Sequence, residues 1–273
     1  MENWKTDLVL RIVALAKQVP DPEVPPSQFK VDESTNDVLP PSGVPPVVNG
    51  FDLNAVEAAL RLRDSGIDIE ITVLSIGSEF AMDAMKKPLA MGADRLVLVD
   101  DPLLSQIDSA ATVKVLSAMI AKDGPFDLIL GGRQASDWDQ AHVIIGLAEV
   151  LELPLVSLIQ KLELDGDMVT VQRVIPDGYQ VISASCPLVL TVTNELGEPR
   201  YPNLRGIMQA SRKQAEIFTL DDIGLSSYDI VPKLEIKKLY IPESNLEVEL
   251  IEGEDESDSG KKLALRLHEE KLI

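Results

Sequence analysis

Short apolar segments alternate with segments of helical periodicity through the first half of the chain. Apolar runs that end at polar or turn-forming residues predict four buried strands, at residues 8–16, 69–76, 96–99 and 126–130. Apolar positions three and four apart predict the helices that follow them, at residues 52–66, 82–91, 108–121 and 140–151. Because short buried strands that alternate with helices form a parallel sheet covered on both faces, this pattern predicts a doubly wound α/β fold.

The pattern changes after Pro154. Residues 162–164 and 168–174 flank an Asp-Gly-Asp turn and predict a β-hairpin added to the mainly parallel sheet, and residues 187–193 predict one more buried strand. A second hairpin is predicted at residues 29–39, within a Pro-rich segment.

The last forty residues are different again, because they lack the apolar content to close a domain by themselves. An acidic linker at 252–258 is followed by a predicted helix at 263–272. We therefore expect an α/β domain at residues 1–229 and an extended C-terminal arm at 230–273. The arm is expected to pack on a partner subunit, with a disordered tail as the alternative.

The charge of the chain restricts its partners. Its 273 residues carry a formal net charge of −20 at pH 7. Such a surface repels the phosphate backbone of nucleic acids and anionic membranes, so neither is expected as a partner. The charge suits docking onto a basic protein surface, or it serves only solubility.

Few residues are available for thiol or metal chemistry. Cys186 is the single cysteine, so an internal disulfide and a cysteine metal cluster are excluded, and His142 and His268 are the two histidines. The N-terminal apolar run is too short for a membrane helix and lacks a signal-peptide cleavage pattern. We expect no membrane insertion, no metal site and a cytoplasmic location.

The first candidate site follows the predicted strand at 126–130. In an open parallel sheet, ligands bind at the carboxyl ends of strands, and glycines there let backbone N–H groups approach a phosphate. Gly131-Gly132-Arg133-Gln134 occupies this position, with Arg133 as a candidate cation. A tight turn whose glycines serve only backbone geometry is the alternative. The spacing matches neither of the common phosphate-loop motifs.

Two further candidates lie near predicted helix starts. Asp137 and Asp139 precede the helix at 140–151, where one of them is expected to be the N-cap and the other to contact a ribose or to position the backbone. Asn49 and Asp52 either cap the helix at 52–66 or belong to a loop that closes over an adenine ring. Leu204 stands alone in a polar loop, where it is either an ordinary exposed side chain or an anchor for a partner.

Five segments, in this order, carry a family resemblance: AKQVPDP (16–22), NGFDLNAVEAALRLRD (49–64), LAMGADRLVLV (89–99), DLILGGRQASDWDQ (127–140) and NELGEPRYPNLRGIM (194–208). The chain resembles the beta subunit of electron transfer flavoproteins over about residues 13–225. The resemblance implies a Rossmann-like α/β domain with a nucleotide at the carboxyl edge of its sheet. It also implies a heterodimer with an alpha subunit that holds the electron-carrying FAD.

The resemblance assigns the nucleotide site residue by residue. The adenosine would lie among Leu15, Asn49, Gly50, Phe51, Asp52 and Ile76. Its ribose and phosphates would be wrapped by Gly132, Arg133, Gln134, Ala135, Ser136, Asp137, Asp139, Gln140, Ala141, His142 and Val143. Residues 194–208 look like the family's recognition loop, with Leu204 as the anchor that enters a flavoprotein dehydrogenase such as an acyl-CoA dehydrogenase.

The family divides on the nucleotide that the beta subunit holds. Ordinary members hold AMP, and electron-bifurcating members hold a second FAD that takes electrons from NADH. Asp137-x-Asp139-x-Ala141-x-Val143 is similar to the bifurcating pattern D-G-D-T-A-Q-V, which favours FAD, with AMP as the alternative occupant. The departures are Trp138 for glycine, Gln140 for threonine and His142 for glutamine, and Tyr179 stands where the family has a glycine.

Two functions of other classes compete with this interpretation. One is a stand-alone nucleotide-hydrolysing enzyme, although no clear phosphate loop or metal-ligand set supports it. The other is a scaffold with a vestigial nucleotide site. We expect no catalytic residue in this chain, because the redox chemistry belongs to the flavins.

Overall fold

The computed structural model describes residues 9–242 and 248–273. Leu8, where the first strand is predicted to begin, and residues 243–247 of the predicted arm lie outside these ranges. The described residues form two compact units, one of residues 9–30 with 38–237 and one of residues 31–37 with 238–242 and 248–273. The predicted division between residues 229 and 230 stays a prediction.

The structure contains strands and helices, which are numbered here in chain order. The strands are β1 (Leu10–Leu15), β2 (Gln18–Val19), β3 (Lys30–Asp32), β4 (Asp37–Leu39), β5 (Val47–Val48), β6 (Ile69–Gly77), β7 (Arg95–Asp100), β8 (Leu128–Gly132), β9 (Leu155–Asp165), β10 (Met168–Ile175), β11 (Gly178–Ser185), β12 (Leu188–Val192) and β13 (Glu216–Phe218). The helices are α1 (Gly50–Asp64), α2 (Met82–Met85), α3 (Lys87–Met91), α4 (Ser109–Asp123), α5 (His142–Val150), α6 (Leu204–Arg212) and α7 (Glu256–Glu269).

Nine strands form one sheet in the order β11-β10-β9-β12-β8-β1-β6-β7-β13. The strands from β9 to β13 in this order all run parallel, and β10 and β11 extend the sheet antiparallel beyond β9. From β1 the chain goes to β6 on one side and later returns to β8 on the other. The sheet therefore has its topological switch point between β1 and β8.

Side chains of β1 point alternately into two apolar layers, as the period of a strand requires. Ile12 and Ala14 belong to the layer that contains α1, whereas Val13 and Leu15 belong to the layer that contains α4 and α5. Helices thus cover both faces of a mainly parallel sheet. The predicted Rossmann-like doubly wound fold is confirmed.

The antiparallel extension is larger than the predicted hairpin. β9 begins at Leu155, and a third strand, β11, pairs with β10 along its whole length. Its sequence, GYQVISAS, gave no clear signal because it is an edge strand with mostly exposed side chains.

Two other elements were also not predicted. The segment at 194–213 contains the helix α6, and β13 adds a short edge strand beside β7. The predicted helix at 82–91 is divided into α2 and α3, with Pro88 in the first turn of α3, a position that proline tolerates.

In the second unit, α7 begins at Glu256, seven residues before the predicted helix. Asp255 is its N-cap and accepts a hydrogen bond from the Asp258 N–H, so the second half of the predicted acidic linker forms the N-cap and first turn of this helix. Across the described ranges, no helix combines the length and the apolar character that a membrane span needs.

Candidate functional site

The candidate site lies at the switch point, where the carboxyl ends of β1 and β8 separate. Ligands of open α/β sheets bind in the crevice that this separation opens. Helix α1 begins at the same edge, because the N–H of Gly132 at the end of β8 donates to Asp52 in its first turn. The predicted segments 49–52 and 132–143 are therefore brought together.

Asp52 joins three segments of this edge. Its Oδ1 accepts from the Gly132 N–H at 3.0 Å, and its Oδ2 accepts from the Lys17 N–H, just after β1, at 2.8 Å. Burial raises the pKa of Asp52 to about 6, although the hydrogen bonds from Lys17, Asn49 and Gly132 lower it. The carboxylate holds the start of α1 against the ends of both strands.

Asn49 occupies the N-cap position of α1, but its side chain does not cap the helix. Its Nδ2 instead donates to the Gln134 carbonyl at 2.8 Å, and its Oδ1 accepts from the Ser136 N–H at 3.3 Å. The capping alternative is therefore wrong for Asn49 and Asp52. Asn49 holds the loop at 133–141 against the start of α1, whereas Asp52 holds the ends of β1 and β8 there.

The two glycines are the last residues of β8 rather than part of a turn, and both are buried. A Cβ at Gly132 would lie 2.6 Å from Asp52 Oδ1 and 2.6 Å from the Phe51 carbonyl carbon. The Gly132 N–H also donates its hydrogen bond to Asp52. Gly132 therefore allows the close packing of β8 against α1.

The loop after β8 is held by its own side chains. The Arg133 guanidinium lies 5.5 Å from the centre of the Phe51 ring, and its Nε donates to Gln134 Oε1 at 2.9 Å. Gln134 Nε2 in turn donates to Asp139 Oδ1 at 2.8 Å. Arg133 is thus stacked on an aromatic ring rather than extended as a separate cation.

Neither aspartate of this loop caps the next helix, so that prediction is wrong. The N-cap of α5 is Ala141, in the left-handed conformation with φ 55°, and it gives no side-chain cap. Asp137 accepts from Lys17 Nζ at 2.6 Å, which links the end of β1 to the loop. Because neither α1 nor α5 has a side-chain cap, the N–H groups of both first turns are suited to an anionic ligand.

The other predicted residues lie around this edge. Leu15 ends β1, and Ile76 is the last residue but one of the neighbouring strand β6. Leu204, which is predicted to dock a partner rather than to bind the nucleotide, is the first residue of α6. It has 74% of its surface exposed. Lys17 was not among the predicted site residues, and the structure adds it to the site through its ion pair with Asp137. Its signal in the sequence is a polar residue directly after a buried strand, within the family segment at 16–22.

Within residues 9–242 and 248–273, the structure contains no group of three His, Cys, Asp or Glu side chains placed to hold a metal ion. Burial raises the pKa of the Cys186 thiol to about 11, so this thiol is protonated and unreactive at neutral pH.

The comparisons with known proteins agree with this architecture. The electron transfer flavoprotein domain model matches residues 38–223. The electron transfer flavoprotein subunit beta of Thermoanaerobacterium thermosaccharolyticum is 37% identical over 222 residues, which cover 81% of this chain and 83% of the relative. The chain belongs to the electron transfer flavoprotein beta subunit family.

Two further family members cover more of the chain. The beta subunit of Megasphaera elsdenii is 35% identical over 91% of this chain and 94% of its own. The caffeyl-CoA reductase-Etf complex subunit CarD of Acetobacterium woodii is 34% identical over 97% of this chain and 100% of its own. The family match therefore includes the switch point, and the similarity to CarD extends to the arm.

The donors present at the edge fit the flavin and adenine nucleotides of an electron transfer flavoprotein. The starts of α1 and α5 supply backbone N–H groups, and Lys17, paired with Asp137, lies at the same edge. A Cβ at Gly50 would meet no atom within 4 Å, so the start of α1 is open on this side. These features suit a phosphate-bearing ligand.

Proposed function

We propose that this chain holds an adenine nucleotide at the switch point and works as an electron-transfer subunit with an alpha subunit. The observation that carries the proposal is that α1 and α5, which start at Gly50 and His142 without side-chain caps, both begin at the edge of the sheet where the strand order reverses. An anionic ligand there satisfies N–H groups that the protein leaves without a side-chain partner.

The roles of the residues follow from their contacts. Asp52 and Asn49 fix the start of α1 to β8 and to the loop, and Lys17 faces the same loop from β1. The first turn of α5 then binds phosphate, and the residues before it surround the ribose. When bound, FAD supplies the electron uptake and release, and this chain supplies binding and orientation.

FAD is proposed in preference to AMP. Asp137, Asp139, Ala141 and Val143 follow the bifurcating pattern, and CarD, which belongs to a reductase-Etf complex, is similar over nearly the whole chain. Trp138, the bulkiest departure from the pattern, is 48% exposed, so its ring is not packed into the protein core. In such a complex NADH is the proposed electron donor.

The C-terminal residues fit a partner subunit. Large apolar side chains of the arm are exposed in the single chain, among them Tyr240 at 60%, Val248 at 81% and Leu250 at 80%. Apolar surface of this extent is typical of residues that become buried in an interface. We assign it to the alpha subunit, Leu204 to a flavoprotein dehydrogenase such as an acyl-CoA dehydrogenase, and the complex to the cytoplasm.

The nucleotide content of the heterodimer tests this function. The two subunits are co-purified without added nucleotide, the ligands are released with acid, and FAD and AMP are counted per heterodimer. We expect two FAD. One FAD with one AMP would correct the choice of nucleotide, and one FAD with no second adenine compound would contradict the site.

A further inference from the structure

Glu57 is a buried carboxylate in the middle of α1, with 4% of its surface exposed. Its Oε2 accepts from the backbone N–H of Arg200 at 3.1 Å and from Arg200 Nε at 2.8 Å. Its Oε1 accepts from Arg200 Nη2 at 3.2 Å and from Arg61 Nε at 3.0 Å. Both oxygens of one carboxylate are therefore used to hold two arginines, one of them 143 positions away in the sequence.

The same face of α1 binds the chain just before Arg200. Arg61 Nη1 donates to the Leu196 carbonyl at 2.6 Å, and Asn54 Nδ2 donates to the Gly197 carbonyl at 2.8 Å. Positions 54, 57 and 61 are three and four apart, so they share one side of the helix. Residues 196–200 are thus fixed on α1 from several points.

Stability alone does not explain the buried ion pairs of Glu57 with Arg200 and Arg61. Burial raises the pKa of Glu57, but hydrogen bonds from Arg200 and Arg61 outweigh it and hold the pKa below 4.5. A buried ion pair adds little net stability compared with apolar side chains of the same volume. Its specific contribution is a defined geometry, because a fork of N–H donors matches a carboxylate in one orientation.

Four residues after Arg200, the chain starts α6. Asn203 caps this helix by accepting from the Gly206 N–H at 2.8 Å. A Cβ at Gly206 would lie 2.3 Å from the Ala90 carbonyl oxygen, so α6 lies directly against α3. Arg200 is held by Glu57, and Gly206 packs on Ala90. Between these two contacts, Tyr201 is 89% exposed and Leu204 is 74% exposed. Exposed apolar side chains therefore stand on a firmly held backbone.

We infer that Glu57 is a positioning residue for partner docking: by holding Arg200 it sets the position from which Leu204 enters the dehydrogenase. The inference rests on the proposed docking role of Leu204. It adds a residue that touches neither the partner nor the nucleotide. Because α1 holds the segment, the effect of Glu57 should be on recognition of the partner and not on the flavins.

The test uses the co-purified heterodimer and an acyl-CoA dehydrogenase reduced by its acyl-CoA substrate. Glu57→Gln should raise the KM for the dehydrogenase about tenfold, which corresponds to about 1.4 kcal/mol and is typical of losing a hydrogen bond to a charged group. The kcat and the FAD content should stay unchanged. Arg200→Lys, which keeps the charge but loses the fork, should raise KM by a smaller factor.

Glu70→Gln is the matched control, since it removes a partly exposed carboxylate that pairs with Arg11 on another part of the sheet. It should leave KM unchanged. Leu204→Ala separates the two hypotheses. If Leu204→Ala raises KM and Glu57→Gln does not, the positioning role is wrong while the docking role stands. If Leu204→Ala has no effect, the docking role itself is wrong.

A third outcome also counts against the inference. If Glu57→Gln lowers FAD content or kcat together with docking, its role is in general folding. The Glu57→Gln, Leu204→Ala double variant should have a KM close to that of Leu204→Ala alone, because positioning is without effect once the anchor is removed. If the free-energy effects of the two substitutions on KM add fully in the double variant, Glu57 does not act through Leu204.

Discussion

Asp52 shows how much of the site depends on one side chain. Both of its oxygens accept backbone N–H groups, from Lys17 after β1 and from Gly132 at the end of β8. An amide offers one acceptor oxygen and two N–H groups, so it cannot replace a carboxylate at both positions. The sequence indicated that Asp52 lies near a helix start, but only the fold places it between two strands.

Asp52→Asn should therefore destabilise the protein. One buried N–H would lose its acceptor, which costs about 1–3 kcal/mol. Unfolding by denaturant at pH 7, followed by far-UV circular dichroism, measures this loss. An unchanged midpoint would show that the junction between α1 and the strands does not depend on the carboxylate.

The stability difference between the wild type and Asp52→Asn is expected to depend on pH. Because the pKa of Asp52 is about 6 in the folded protein and 3.8 is its ordinary value, the folded state binds more protons between these values than the unfolded chain. The contribution of this carboxyl to stability therefore falls as the pH rises through 6. The stability difference between the wild type and Asp52→Asn should be larger at pH 5 than at pH 7. A difference that shrinks at pH 5 would contradict the raised pKa.

The contact between α6 and α3 at Gly206 is expected to be needed for stability and docking. A Cβ there would lie 2.3 Å from the Ala90 carbonyl oxygen, a backbone atom that cannot move separately from α3. Gly206→Ala should push α6 away from α3 and lower both the thermal midpoint and the rate of electron delivery to the dehydrogenase. Gly50→Ala is the control for stability, because its Cβ would meet no atom within 4 Å. Equal midpoints for the two variants would show that the packing is not needed.

At the scale of elements, α1 and α5 define the site by their starts. The sequence predicted α1 within two residues, since its apolar spacing is regular. It placed the start of α5 at residue 140, two residues too early, because Asp139 and Ala141 have positive φ values of 51° and 55° that no simple pattern reveals. It missed α6 because Pro202 and Gly206 are typical of loops, whereas Gly206 is needed here for contact with α3.

The start of α5 gives a prediction in which stability and binding change in opposite directions. His142 is the first residue of this helix and is exposed. His142→Glu should stabilise the helix by about 0.3–1 kcal/mol, because a negative charge is favourable at a helix N-terminus. It should also lower the FAD retained by the heterodimer, because the same charge repels phosphate.

His142→Gln is the matched neutral variant, and it carries the residue of the bifurcating pattern at this position. It should retain FAD as well as the wild type does. Thermal melting and released FAD are measured on all three proteins. If His142→Glu retains full FAD, the phosphate does not lie at the start of α5.

At the scale of the whole molecule, the sequence predicted the layers but not the order of the strands. Alternating strands and helices imply a parallel sheet, yet they do not say that β1 is central, with β6 on one side and β8 on the other. That order creates the crevice, because the segments that leave the carboxyl ends of β1 and β8 lead to helices on opposite faces of the sheet, α1 and α5. The family resemblance predicts the position of the site, and the strand order gives a physical reason for that prediction.

The formal charge of −20 also acts at this scale. It leaves a phosphate ligand in an unfavourable field, so local groups must offset that field at the site. The charge of Lys17 is paired with Asp137, so the partial positive charge of the two helix starts is what the proposed site offers a phosphate.

The central claim is that phosphate binds where α1 and α5 begin, and an experimental structure of the heterodimer with its nucleotide tests it most directly. We predict phosphate oxygens about 3 Å from first-turn N–H groups of α5, with the adenosine beside residues 49–52. A crevice filled by the chain's own side chains, with the nucleotide bound elsewhere or absent, would contradict the account.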